Sequence, residues 1–466
     1  MLARTAVIVI LSVVVSAAAD RDIGRRIDAI FEEWKTTGTA GAAVAVIQAG
    51  KLGYDKGYGS ANLEYEVPIT GETVFHVASV SKQFTAMAVV LLELERRLSL
   101  DDDIRKHLPE LPDYGQKITI RNLLQHTGGI RDQWQTLALA GWRLDDVITQ
   151  QQILRMLFRQ KELNFKPGAE HLYSNGGYSL AAEIVARVSG KPFAIFCDEQ
   201  IFQPLGMTRT HFHDDHRRVV PNRAYSYSKT PAGFRAAPLN YANVGATSLF
   251  TTALDLTKWL DNFRDPKVGG RAGVNRLEER ATLANGARIG YALGVTVGEY
   301  RGSKTISHGG ADAGYRSFIS YFPEEQLGIV ILSNLASFSP GTYANKVADL
   351  FVHGKPAPVN QTANPASRES ERESRKAFDI EHLPEYAGRW WSDELETQYT
   401  IRVAGETLIA EHVRHGEIAL RPAGKDFFSG GEWFFSQVRF ERDSAGKPAT
   451  MIVGGGRVRG VKFTRR

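Results

Sequence analysis

The sequence predicts an α+β protein in which an antiparallel sheet flanked by helices, plus a helical region, precedes a smaller all-β domain. Three observations lead to this fold class. Strand-like segments cluster near the two ends of the first 354 residues, long apolar helical stripes lie between them, and short strands with turn signals fill the C-terminal part. An antiparallel sheet built from both ends, with the helical region inserted between them, connects these elements most simply.

The first 19 residues predict a signal peptide. One positive charge precedes the apolar run Thr5–Val15, and the small residues Ser16–Ala19 follow it. This apolar run is short for a bilayer span, and the small residues are typical of a cleavage site. An uncleaved anchor is the alternative. We therefore expect a secreted or periplasmic protein with no stable membrane anchor after cleavage.

Composition places the domain boundaries. We expect a first domain over 20–354, a linker over 355–378 and a β-domain over 379–466. The linker segment has three prolines, a dense run of charges and almost no apolar residues, so it has little surface to bury.

Several elements of the first domain follow from hydrophobic patterning. Gly41–Ile47 and Leu52–Tyr58 predict a hairpin, and Ser81–Arg97 and Gly177–Val188 predict helices with apolar stripes. We expect terminal helices within Asp22–Thr36 and Tyr343–Val352 to cover the sheet. The remaining strands are expected at Gly290–Tyr300, Lys304–Ser307, Gly314–Phe322 and Leu327–Ser333.

The β-domain shows regular short strands separated by turn signals. A hairpin is expected around Ala404–Gly405, and the later glycine pairs mark further turns of a small barrel or sandwich. Trp390 and Trp391 are expected to pack in its core rather than to bind a ligand.

Composition also excludes some functions. The net charge of +5 is small for 466 residues and is spread along the chain, so nucleic acid is not an expected partner. Cys197 is the only cysteine, which excludes an intramolecular disulfide and indicates a buried structural thiol. No persuasive metal-ligand spacing occurs, so no metal and no cofactor are expected. An oligomer is possible.

The first chemical motif is Ser79-Val80-Ser81-Lys82 at the start of the long apolar helix. Residues three apart lie on one helix face, so Lys82 can reach Ser79, and a desolvated lysine can act as a base. A helix start also favours developing negative charge. The structural alternative is that Ser79 caps the helix and Lys82 is solvated. Ser81 points to another face.

The second motif is Tyr173-Ser174-Asn175, on a turn before a helix. The phenol of Tyr173 can relay a proton, and the amide of Asn175 can donate to a substrate carbonyl. The alternative is a turn with Asn175 in a left-handed conformation.

The third motif is His308-Gly309-Gly310-Ala311, after the strand expected at Lys304–Ser307. The two glycines can let the backbone approach a ligand and leave N–H groups for an oxyanion, and His308 can bind or polarise a substrate group. The alternative is a strand bend.

Together these motifs resemble the serine β-lactamase and penicillin-binding-protein superfamily, which has S-x-x-K, Y-x-N and a K/H-[ST]-G-like triad in this order. The resemblance spans about Asp22–Val352 and is closest to the class C-like branch of esterases, D-aminopeptidases and DD-peptidases. Supporting segments are TIRNLLQHTGGI, IFQPLGMTRT and SLFTTALDLTKWL. The C-terminal domain resembles the lipocalin-like domain of some D-aminopeptidases.

The resemblance implies an acyl-enzyme on the nucleophile Ser79, with Lys82 and Tyr173 sharing the acid–base work. Which of these two takes the first proton stays open. Asn175 would position the substrate carbonyl, and the N–H groups of Ser79 and Ala311 would form the oxyanion hole. The implied partner is a small-molecule or peptide substrate.

One departure from the family bears on the substrate. Gly309 lacks the hydroxyl of the usual Lys-Thr-Gly triad, and His308 is a weaker cation than lysine near neutral pH. We therefore expect a peptidase (D-aminopeptidase- or DD-peptidase-like) or an esterase. A true β-lactamase and a penicillin-binding sensor without turnover are the alternatives. A nucleophile elbow at Gly177–Ala181 is set aside because it lies in a predicted helix, and His126 is expected to be structural.

Overall fold

The computed structural model describes residues 22–36, 38–354 and 380–466. The signal peptide and the whole linker expected from the sequence lie outside these residues. The described chain forms two compact units. The first holds the residues up to Arg97, Ser189–Arg280 and the stretch from Gly290 to 354, and the second holds Leu98–Val188, Ala281–Ile289 and the residues from 380 onward.

A six-stranded antiparallel sheet is the centre of the first unit. In spatial order its strands are β12 (Thr296–Tyr300), β13 (Ser303–Asp312), β14 (Tyr315–Phe322), β15 (Leu327–Ser333), β1 (Ala42–Gln48) and β2 (Lys51–Tyr58). The central strands β1 and β15 are buried almost throughout, because layers pack on both faces, and both therefore consist mainly of apolar residues. The sheet predicted from both ends of the segment is thus confirmed.

Helices cover this sheet as the sequence predicts. Ile27, from the helix over 22–30 (α1), packs with Val347 and Ala348 of the last helix of the unit against Val44 and Ile331 of the sheet. The helices of the first unit are α1 (22–30), α2 (Ser81–Leu94), α7 (Phe193–Cys197), α8 (Gln203–Leu205), α9 (Ala253–Arg264), α10 (Gly270–Leu277) and α11 (Pro340–Ala348).

Short strands complete the first unit. Three of them form a small sheet in the order β5-β11-β7, and two further pairs are hairpin-like. They are β3 (Ser60–Asn62), β4 (Val67–Pro68), β5 (Phe75–His76), β7 (His211–Phe212), β8 (Tyr227–Thr230), β9 (Gly233–Ala236), β10 (Tyr241–Ala242) and β11 (Leu249–Thr251).

The second unit combines a helical region with the C-terminal barrel. Capping boxes at Thr119 and Thr149 start two of its helices. Each threonine hydroxyl accepts from the backbone N–H of the third helical residue, and each threonine backbone N–H donates to the side chain of that residue. The elements of the helical region are α3 (Ile120–Leu124), α4 (Gln133–Leu139), β6 (Ile148–Thr149), α5 (Gln150–Leu157) and α6 (Asn175–Ser189).

The C-terminal residues form a closed antiparallel barrel of eight consecutive strands. The sequence left a barrel and a sandwich open, and the structure has the barrel. Ala138 and Leu139, at the end of α4, share its apolar core, and the Tyr399 hydroxyl donates to the Leu139 carbonyl at 3.1 Å. The strands are β16 (Gly388–Ser392), β17 (Thr397–Ala404), β18 (Thr407–His412), β19 (Gly416–Gly424), β20 (Phe427–Gly430), β21 (Gln437–Arg442), β22 (Pro448–Gly455) and β23 (Val458–Arg465).

One prediction for this barrel is half wrong. Trp390 is fully buried in the core as expected, but Trp391 is partly exposed and lies under the Arg466 guanidinium at 4.3 Å. Consecutive side chains of a strand point to opposite faces, so only one of the two tryptophans can face the barrel interior.

Cys197 is buried as predicted, and this burial raises the pKa of its thiol well above the usual value.

None of the helices in the described ranges has the length and apolar character needed to cross a bilayer.

Candidate active site

Ser79 and Lys82 are adjacent in space. Ser79 lies in a 3₁₀ turn, Ala78–Val80, that leads directly into α2, and Lys82 is in the first turn of α2. The Nζ atom of Lys82 is 3.1 Å from Oγ of Ser79. The capping alternative is wrong, because the N-cap of α2 is Val80 and no side chain caps the helix.

Lys82 is desolvated rather than solvated. Its side chain has no exposed surface, and Nζ also donates to the Ala246 carbonyl at 2.7 Å. The segment that provides this carbonyl is held along α2 by a hydrogen bond of 2.7 Å from the Thr85 hydroxyl to Gly245. The amine therefore has a fixed position beside the Ser79 hydroxyl, which is the geometry of a base and its nucleophile.

Ser81, the other hydroxyl of the motif, has a structural role. Its side chain is fully buried, donates to the Ala78 carbonyl at 2.5 Å and accepts from the Leu249 N–H at 3.1 Å. These contacts hold the 3₁₀ turn that presents Ser79.

The third motif lies inside β13 and does not follow a shorter strand, which corrects the predicted end at Ser307. The pairing of β13 with β12 ends at Ser307, whereas its pairing with β14 continues to Asp312. The strand is therefore continuous through His308, and the alternative of a strand bend is wrong.

His308 is buried and neutral at pH 7. Its Nε2 is 3.0 Å from the hydroxyl of Tyr291, and its Nδ1 is 2.6 Å from the Gly309 carbonyl. Burial, together with the positive charge of Lys82, lowers the pKa of His308 to about 4. This residue therefore supplies no fixed cation at neutral pH.

Gly310 is required by packing against the turn that carries Ser79. A Cβ atom there would lie 2.4 Å from the Val77 carbonyl oxygen and 3.1 Å from Cβ of Ala78. At Gly309 the nearest atom to such a Cβ, on Phe318, is at 3.5 Å, an ordinary contact. The close approach expected from the two glycines thus holds for Gly310 and joins two parts of the protein's own backbone.

A buried polar network that the sequence analysis missed supports the same turn. Nδ1 of His76 accepts from the Ala78 N–H at 3.2 Å, and its Nε2 is 3.2 Å from the Thr247 hydroxyl, which donates to Asp312. Complete burial lowers the pKa of His76 well below its usual value. No sequence motif marks this histidine, because its partners come from distant segments.

Tyr173 and Asn175 belong to the second unit. Asn175 is the first residue of α6 and is not left-handed, so the turn alternative is wrong. Its backbone N–H and its Nδ2 donate to one oxygen of the buried Asp132, at 2.9 and 2.7 Å. The ring of Tyr173 packs against His126 with the ring centroids 4.1 Å apart, and Nδ1 of His126 accepts from the Ser174 N–H at 3.2 Å. A structural role for His126 stays a prediction.

Within its own unit, each motif is held in a defined geometry. Ser79, Lys82 and β13 with residues 308–311 come together in the first unit. Tyr173 and Asn175 are fixed in the second unit by Asp132 and His126. In the ranges that the structure describes, no group of three or more His, Cys, Asp or Glu side chains could hold a metal ion.

Sequence comparison gives the following relatives. A family model named Beta-lactamase matches residues 27–352. A D-aminopeptidase of Gluconobacter oxydans is 28% identical over 296 residues, which is 63% of this chain but only 55% of that protein. The chain thus spans about half the length of that relative. A D-aminopeptidase of Brucella canis is 25% identical over 504 residues, covering 91% of this chain and 95% of the relative.

Solved structures share the fold. A penicillin-binding protein homologue from Pyrococcus abyssi, described as octameric, superposes with a TM-score of 0.63 at 23% identity, over 94% of this chain and 98% of that one. A D-amino acid amidase from Ochrobactrum anthropi SV3 superposes with a TM-score of 0.59 at 24% identity, over 70% of this chain and 98% of that one.

Proposed function

We propose that this chain, which belongs to the beta-lactamase family, is a serine hydrolase that cleaves an amide or ester bond through an acyl-enzyme on Ser79. The observation that carries the proposal is the 3.1 Å approach of the buried Lys82 amine to the Ser79 hydroxyl. A desolvated amine can exist in the neutral form that a general base needs.

The proposed reaction has two halves. Ser79 Oγ attacks the substrate carbonyl and passes its proton to the base, which gives a tetrahedral intermediate. The bond from the carbonyl carbon to the leaving group then breaks, the amine or alcohol takes that proton, and the acyl group stays on Ser79 as an ester. Water attacks this ester, which releases the carboxylic acid and regenerates the Ser79 hydroxyl. By the family's motif order, Tyr173 shares this proton transfer with Lys82, and Asn175 positions the substrate carbonyl. The N–H groups of Ser79 and Ala311 are proposed for the oxyanion hole.

The substrate class follows from the relatives. Proteins named D-aminopeptidase and D-amino acid amidase favour an amide beside a D-amino acid, and an ester would react through the same intermediate. Against a true β-lactamase stands the absence of both a hydroxyl at Gly309 and a cation at His308. A penicillin-binding sensor would differ only in slow deacylation.

Location and assembly are also proposals. The apolar run and small residues of the first 19 positions support export to the periplasm or the medium. An oligomer is compatible with the octameric Pyrococcus abyssi protein, which shares the fold.

Rapid-quench mass spectrometry of the purified protein tests the proposal. The panel is p-nitrophenyl butyrate, D-alanine p-nitroanilide, its L-counterpart and a chromogenic cephalosporin. We expect a transient adduct on Ser79 with at least one of the first two compounds, and none in Ser79→Ala. A lasting cephalosporin adduct without turnover of any compound would instead identify a sensor.

Ser81→Ala is the matched control, because it removes the neighbouring hydroxyl from the same turn. This variant should lose stability yet keep the adduct. Wild-type turnover in Ser79→Ala, or an adduct that moves to another residue, would contradict the assignment of the nucleophile.

A further inference from the structure

We propose that Arg457, at the tip of a barrel hairpin, binds a free carboxylate of the substrate and makes the enzyme selective for anionic substrates. The inference rests on the proposed function, because Tyr173 beneath this arginine is one of the residues proposed for catalysis. It is carried by contacts inside the second unit alone.

The hairpin that joins β22 to β23 is a tight, glycine-dependent turn. Gly455 and Gly456 have φ angles of +116° and +56°, which residues with a side chain rarely adopt. A Cβ at Gly455 would also lie 2.0 Å from Oγ of Ser436. The glycine run that the sequence presents as a turn signal therefore sets the position of the next residue, Arg457.

The backbone of Arg457 is bound to the helical region. Its N–H donates to Oε1 of Gln135 at 2.8 Å, and its carbonyl accepts from Nδ2 of Asn164 at 2.9 Å and from the Asp132 N–H at 3.3 Å. The Gln135 side chain also donates to the Gly455 carbonyl at 2.6 Å. Hydrogen bonds thus fix both sides of the tip, and its side chain starts from a defined place.

A second arginine on the same hairpin has a different environment. Arg459 forms a bidentate pair with Glu170, at 3.2 and 3.0 Å, and its carbonyl accepts from the buried Arg131 at 3.0 Å. Its charge is therefore already matched by a carboxylate. This role is structural and offers a control for experiments on Arg457.

The guanidinium of Arg457 lies over the ring of Tyr173, with its central carbon 4.7 Å from the ring centroid. Its side chain is 49% exposed, and the nearest carboxylate oxygen, on Asp132, is 4.0 Å away. That oxygen already accepts two hydrogen bonds from Asn175. Among the described residues, no acceptor lies within hydrogen-bond distance of this guanidinium, so its planar fork of donors can bind an added anion.

A carboxylate is the anion that fits this position. The guanidinium pairs with carboxylates in a two-point geometry, whereas the ammonium of a free amino terminus would be repelled. His308 and Gly309 provide neither a cation at neutral pH nor a hydroxyl for a substrate carboxylate. Arg457 places an always-charged cation beside Tyr173.

Two matched substrate pairs test the inference with the full chain. N-acetyl-D-alanyl-D-alanine and its C-terminal amide differ in a carboxylate on the leaving group. N-succinyl-D-alanine p-nitroanilide and N-acetyl-D-alanine p-nitroanilide differ in a carboxylate on the acyl part of the substrate. We expect wild type to prefer the charged member of at least one pair by roughly 10- to 100-fold in kcat/KM, the worth of a charge-assisted hydrogen bond.

Arg457→Gln should abolish that preference mainly through KM, and Arg457→Lys should restore part of it, because lysine keeps the charge but not the fork. Arg459→Gln should keep the preference. A general loss of structure would lower both members of a pair equally and leave their ratio unchanged.

The outcomes separate the two proposals. If wild type cleaves the compounds without a preference for charge, or if Arg457→Gln keeps the preference, the role of Arg457 is refuted while the hydrolase assignment stands. If neither these compounds nor the first panel gives an adduct on Ser79, the hydrolase assignment fails and the inference falls with it.

Discussion

Replacing Gly310 by alanine should displace Ser79, the proposed nucleophile, through the residues that precede it. The added Cβ would lie 2.4 Å from the Val77 carbonyl oxygen and 2.3 Å from Oγ of Ser317. The Ser317 hydroxyl can rotate away, at the loss of its 2.7 Å hydrogen bond to Val77, but the carbonyl is backbone and precedes the Ser79 turn directly. An ordinary contact begins at 3.4 Å, so β13 and this turn must separate by about 1 Å.

The expected effects of Gly310→Ala follow from that displacement. Overpacking of this kind costs about 1–3 kcal/mol of unfolding free energy. A shift of about 1 Å in a reacting group can cost roughly 100-fold in rate. Urea unfolding measures the first effect, and the rate of adduct formation on Ser79 with p-nitrophenyl butyrate measures the second.

Two alanine variants serve as controls. At Gly309 on the same strand, the new Cβ meets nothing closer than 3.5 Å, so the unfolding free energy should change by well under 1 kcal/mol. At Gly298 in β12 the nearest atom is at 3.4 Å, and adduct formation should stay at the wild-type rate. If Gly310→Ala matched these controls in both assays, the close packing of β13 on the nucleophile turn would be refuted.

Four further substitutions test the site and its support. Lys82→Ala and Tyr173→Phe should each lower kcat/KM by roughly 1,000-fold or more in steady-state assays with the reactive compound of the panel, and near wild-type rates in either would remove that residue from the mechanism. Because the pKa of His308 is about 4 in the fold and near 6.5 in the unfolded chain, its contribution to stability is complete above pH 6.5. As the pH falls towards 4, the wild-type protein loses about 3 kcal/mol of unfolding free energy through this group. Urea unfolding at several pH values should therefore show that the unfolding free energy depends less on pH in His308→Gln than in wild type. Arg131→Met leaves the buried Glu394 without its 2.8 Å partner and should cost about 3–5 kcal/mol of unfolding free energy, whereas a cost below 1 kcal/mol would show that the pair contributes little.

Features that depend on local geometry and on residue patterns could be predicted from the sequence. Ser79 and Lys82 meet because three residues make nearly one helical turn, and this holds whatever surrounds the helix. Alternating and continuous apolar runs located the strands of the sheet, and the order of the motifs indicated the family. The alternation of side chains along a strand could also have predicted that Trp391 points outward, since its neighbour Trp390 faces the core.

The distant residues that support these motifs are visible only in the folded chain. The need for glycine at 310 exists because Val77 packs against it, and the rotamer of Asn175 is fixed by an aspartate on another element. Arg457 stands over Tyr173 because a closed barrel brings one hairpin onto the helical region. Such contacts join residues far apart in the chain, and a single sequence carries no periodic signal for them. Only tertiary packing therefore shows which glycine must lack a side chain and which arginine lies over a proposed catalytic residue.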